Sequence, residues 1–113
     1  MSETEKKLID SDNPSEQNPC LVMLFATPAL EESLVDWLLE NESIYGFSTT
    51  ESYGHGQRAS AMSLLEQVTG RQRRIQFLIE INQNLAPVLL QSLKLSFPGL
   101  HFLVIPVLSA GSL

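Results

Sequence analysis

Two short stretches hold most of the side chains in this chain that could do ligand chemistry. "GHGQR" (54–58) and "GRQRR" (70–74) carry Arg58, Arg71, Arg73 and Arg74, four of the seven basic residues. Glycines let backbone N–H groups approach an anion, and a guanidinium meets phosphate or carboxylate with two parallel hydrogen bonds. Gly54, His55, Gly56, Gln57, Arg58, Arg71, Arg73 and Arg74 therefore form the candidate ligand-binding set. A structural reading competes with it. Residues 20–56 hold six acids and no Lys or Arg, whereas residues 57–113 hold five bases and only Glu66 and Glu80 as acids. Some of these arginines can serve as ion-pair partners for that acidic half.

Metal chemistry is the second option. His55, His101, Cys20 and three methionines offer the nitrogen and soft sulfur donors that suit copper, zinc or nickel. No ligand-spaced motif joins them. His101 falls on a strand and Cys20 starts an apolar one, so both read as structural. His55, between glycines, is the candidate metal ligand, with a polar turn residue as the plainer reading. No Ser-His-Asp, Cys-His or paired-carboxylate set can be assembled, so an enzyme is not expected. Glu51 and Glu66 read as strand-face and helix-face charges.

Elements of regular structure must position these groups. Residues 1–19 lack apolar periodicity and read as a disordered tail ahead of one domain, 20–113. "CLVMLFAT" (20–27) suits a buried central strand. "TPALEESLVDWLLENE" follows as a helix, with Thr27 as N-cap, Pro28 in the first turn and an apolar stripe of Leu30, Leu34, Trp37 and Leu38. Gly46 is placed to end that region and start the next strand. "FSTTESY" (47–53) and "RRIQFLIEI" (73–81) read as strands, the second alternating at Ile75, Phe77, Ile79 and Ile81. "NLAPVLLQSLKLSF" (84–97) reads as a helix capped by Asn84, and "LHFLVIPVL" (100–108) as a last strand that Pro106 pushes towards a sheet edge.

The order β-α-β-β-α-β predicts an α+β, ferredoxin-like fold: a four-stranded antiparallel sheet with both helices on one face and a long β2–β3 loop. The other sheet face stays uncovered, and oligomerisation is the economical way to cover it. The β2–β3 connection, about sixteen residues or more, exceeds an ordinary hairpin loop. Within it Met62, Leu65 and Val68 have helical spacing. They read equally as a partner-binding surface or as a fold-back over the chain's own core. Hairpin geometry places Arg58 beside Arg71, Arg73 and Arg74. Strand alternation puts Arg71 and Arg73 on one side and Arg74 on the other.

With these elements in place, "GFSTTESYGHGQR" and the long loop after it resemble the P-II signal-transduction superfamily. "ALEESLVDWLL", "YGHG" and "SLLEQVTGRQRR" are similar to a short bacterial P-II-like group of unassigned function, often encoded beside heavy-metal efflux pumps. The resemblance spans roughly residues 20–110. It implies a homotrimer with ligands between subunits and a loop that changes shape with ligand state and touches a partner. By position it sets Gly54, His55, Gly56, Gln57 and Arg58 beside nucleotide phosphates, with ATP, ADP and AMP as candidates. The chain also departs from the pattern. "SFPGLHF" replaces a Gly-rich, lysine-bearing segment, and "PVLSAGSL" replaces a C-terminal arginine cluster. Tyr53 precedes the loop, so nucleotidylation is not expected.

Composition sets the remaining bounds. A formal net charge of −6 argues against general nucleic-acid binding. One cysteine excludes an intramolecular disulfide. The first residues lack a signal-peptide pattern, and no apolar run nears the roughly 18–20 residues of a membrane span, so the cytoplasm is the expected location. The functional expectation is a trimeric sensor of a small anion that modulates a partner through residues 57–70, with a metal-efflux transporter as candidate. The alternative is a metal-responsive trimer similar to divalent-cation-tolerance proteins.

Overall fold

The computed structural model describes residues 18–55 and 71–113. Four strands, β1 (Pro19–Ala26), β2 (Ile44–His55), β3 (Arg71–Asn82) and β4 (His101–Pro106), form one antiparallel sheet in the order β2-β3-β1-β4. Helices α1 (Glu31–Leu39) and α2 (Ala86–Ser96) each follow a 3-10 turn. The βαββαβ order and the α+β, ferredoxin-like arrangement are those the sequence predicts.

The pairing of β1 with β3 builds the core. Cys20, Val22, Leu24 and Ala26 stand opposite Ile81, Ile79, Phe77 and Ile75. All eight are buried, together with Leu34 and Leu38 of α1 and Ala86, Leu89 and Leu93 of α2. Phe47 of β2 stacks on Phe77, and the Trp37 ring meets Phe97 edge-on where α2 ends. Both helices thus cover one face of the two central strands.

Element ends differ in detail from the sequence reading. Thr27 makes no side-chain capping bond; its carbonyl accepts from the Leu30 N–H at 3.0 Å, because Pro28 opens a 3-10 turn rather than an α-helix. Before α2 the cap is Asn82 rather than Asn84. The Asn82 Oδ1 accepts from the Asn84 N–H at 2.9 Å, since β3 continues as far as Asn82. Gly46 does not start β2 but lies inside it, at a register shift between Ile44 and Gly46. The turn out of α1 is built by Asn41, whose Oδ1 accepts from both the N–H (3.0 Å) and the hydroxyl (2.6 Å) of Ser43. At the tail boundary, Pro19 is buried as the first residue of β1, and its carbonyl accepts from the Val107 N–H.

The helix-free face is mixed. Leu21, Met23, Phe25 and Leu78 are half-buried along its middle. β4 is an edge strand that no helix covers, and Phe102, Leu103, Val104 and Ile105 are 40–48% exposed, two on each side of the sheet. Among the described residues no helix is long and apolar enough to cross a membrane.

Phe77 and Cys20 test this core. Phe77→Ala should cost about 3–5 kcal/mol in denaturant unfolding, the range for a fully buried aromatic. Burial pushes the Cys20 thiol up from its usual value, against a smaller lowering by a backbone hydrogen bond with Ile105. Cys20 should therefore react with a colorimetric thiol reagent only as the protein unfolds.

Candidate anion-binding site

Strand alternation separates the arginines. Residues of β3 with odd numbers share the helix side with Phe77, and even ones face the open side. Arg73 lies on the helix side, beyond the reach of the helices. Its Nε donates to Glu51 Oε1 of β2 at 3.1 Å in an exposed ion pair. Glu51 thus meets the strand-face role expected of it, and Arg73 is one arginine taken up by the acidic half. Arg71 starts β3 opposite His55, the exposed last residue of β2.

Arg74 faces the other way, over the open side. Its guanidinium carbon lies 5.2 Å from the centre of the Phe25 ring on β1, close enough for a cation–π contact. Its Nε is buried and has no hydrogen-bond partner among the described residues. On β2, Gly54 is buried beneath it, and a Cβ there would overlap the Arg74 guanidinium. Gly54 therefore acts by leaving room for a side chain. The sequence reading assigned its glycines a different service, exposing backbone N–H groups to an anion.

Phe25 carries a second ring contact. His101, the first residue of β4, stands opposite it in register with ring centroids 5.4 Å apart, tilted by 37°. Arg74, Phe25 and His101 thus line up across β3, β1 and β4. They border a cleft of about 390 Å³, completed by Ala26, Thr27, Gln72 and Gly99. Gly99 turns the chain from α2 into β4 at φ +90°, a conformation side chains rarely adopt. Among the described residues no Asp or Glu lines the cleft. One permanent cation, one imidazole, a hydroxyl and an amide around an aromatic floor are the chemistry of a small-anion site.

Of the sequence-predicted ligand set, the structure brings Gly54 and Arg74 together and leaves Arg73 on the opposite face. Gly56, Gln57 and Arg58, with the loop residues Met62, Leu65 and Val68, lie outside the described residues. His101, read from sequence as structural, lines the cleft. Thr27 and Gln72 were missed altogether. Cys20 is sealed in the core, away from both histidines. Among the described residues no group of three His, Cys, Asp or Glu is placed to hold a metal ion. A second cleft, about 530 Å³ between α2 and β4, is lined mainly by Leu24, Leu90, Leu93, Phe97 and Phe102, with Lys94 as its charged residue. It is the gap left where the helices stop short of β4.

A family model described as "Protein of unknown function (DUF3240)" matches residues 16–113. The chain belongs to this family. A crystal structure of a DUF3240 family protein from Shewanella baltica OS155 is similar, with 23% identity and a TM-score of 0.68. The match covers 84% of this chain and 96% of that one. At this identity the likeness supports the fold. Nothing among curated proteins matches. The DUF3240 fold thus comes without an assigned ligand, and the cleft has to be read from its own chemistry.

Two substitutions test the geometry. Gly54→Ala should displace the Arg74 guanidinium, moving its Nε–H resonance in NMR spectra while leaving the fold intact. Glu51→Gln should change stability by no more than about 0.5 kcal/mol, because both partners of its ion pair are half exposed.

Proposed function

We propose that this DUF3240 protein is a sensor that binds a small anion in the Arg74 cleft and passes the occupied state to a partner. The observation that carries the reading is the Arg74 Nε: buried and without a partner among the described residues, with the guanidinium against Gly54 and near the Phe25 ring. Leaving a buried donor of a charged group unsatisfied costs on the order of 1–3 kcal/mol or more. An anion drawn to the same guanidinium offsets that cost. The absence of a carboxylate among the described residues of the cleft, in a chain of net charge −6, points the same way.

Kinship with the P-II-like superfamily belongs to this proposal. Its support is the βαββαβ order and the "YGHG…EQVTGRQRR" likeness. On that reading the protein is a cytoplasmic homotrimer, joined through the uncovered sheet face and β4, with the anion near subunit junctions. An adenine nucleotide and other small anions such as phosphate are equal ligand candidates. Contact with a partner through residues 57–70, and a metal-efflux transporter as that partner, rest on the sequence likeness alone.

Calorimetric titration with ATP, ADP, AMP and inorganic phosphate is the direct test. At least one should bind, and Arg74→Gln should weaken it by about tenfold or more, the weight of a charge-assisted hydrogen bond. Binding of none of the four would refute the reading. So would tight binding of copper, zinc or nickel that His55→Ala removes, if no anion binds. Mass in solution tests the trimer separately, and a stable monomer would remove it.

A further inference from the structure

We propose that His101 is the proton-dependent second pole of the Arg74 cleft, so that anion binding and proton uptake are one linked event. This rests on the anion-site reading above and names its regulation. Arg74 and His101 flank the same Phe25 ring, at 5.2 and 5.4 Å from its centre. Arg74 keeps its charge at every physiological pH, whereas an imidazole gains or loses its charge between about pH 5 and 8. In the single chain His101 is exposed.

Among the described residues, the groups that face His101 include one permanent charge. From β1 come Phe25, Ala26 and Thr27, none of which titrates here. From β3 come Gln72 and the cation Arg74, and the turn into β4 contributes Gly99. Both helices lie on the other side of the sheet. Glu80 shares the open face but pairs in register with Leu21 and Gly46, at the far end of β3. Arg73 and Glu51 neutralise each other on the helix side.

An anion bound between Arg74 and His101 attracts both cations, so it must favour the protonated imidazole. By reciprocity, protonation must favour the anion by the same factor. The protein would then hold its ligand more tightly as pH falls from 8 to 5.5. Phe25, on the strand between theirs, has both groups within 5.4 Å of its ring centre.

The test uses the full chain, labelled with ¹⁵N, and sodium sulfate as probe, because sulfate keeps both its charges across this range. Sulfate should perturb the Arg74 Nε–H and bind about tenfold more tightly at pH 5.5 than at pH 8.0, the equivalent of about one pKa unit of linkage. It should also raise the His101 titration midpoint, and Arg74→Gln should abolish that rise. The chain has only two histidines, so the spectrum of His55→Gln assigns the His101 imidazole signals by elimination. His101→Gln should bind sulfate equally at both pH values, at the weaker level. His101→Lys should bind equally at both, at the tighter level. If sulfate perturbs Arg74 with the same affinity at both pH values, the proton linkage is overturned and the anion site stands. If sulfate leaves Arg74 unperturbed at either pH, both readings fail.

Discussion

The register between β1 and β3 is the constraint on which everything else depends. Leu24 opposite Phe77 and Val22 opposite Ile79 put every large strand side chain of the core on the helix side. The same register sends Phe25 and Arg74 to the open side. Strand side chains alternate with a period of two, so a slip of one residue would exchange the two sets. Phe77 and Ile79 would then face water, and Arg74 would enter the apolar interior. The core and the cleft are therefore two faces of one pairing, and selection on packing also fixes where the guanidinium lies.

Much of this was legible in the sequence, because it depends on period. Ile75, Phe77, Ile79 and Ile81 announce a half-buried strand, and the proline-bounded run from Cys20 announces a central one. The separation of Arg73 from Arg74 follows from the same alternation. What stayed illegible depends on strand order. His101 is far from Arg74 along the chain, and only the insertion of β1 between β3 and β4 sets both against Phe25. Gly54 gave a signal, a glycine before a polar turn, but its meaning depended on which β3 residue lay diagonally across from it. Thr27 and Gln72 carried no signal of their own. The cap before α2 was misplaced by two residues because β3 continues to Asn82 before the chain turns.

The acidic character of the chain gives the cleft its contrast. Glu31, Glu32, Asp36, Glu40 and Glu42 lie on or just after α1, whereas Arg74 and His101 belong to the helix-free face. The acids of α1 and the Arg74 guanidinium thus lie on opposite sides of one sheet, a charge separation of the kind that steers the approach of charged ligands.

β4 has a further consequence. Its sequence, HFLVIP, places four large apolar residues on an edge with no charge among them and no proline before its last position. Natural sheets commonly guard such an edge with lysine, an early proline or a bulge, since its unpaired backbone groups are a template for another strand. Among the described residues β4 carries none of these guards, so its outer edge stays open to pairing with a further strand.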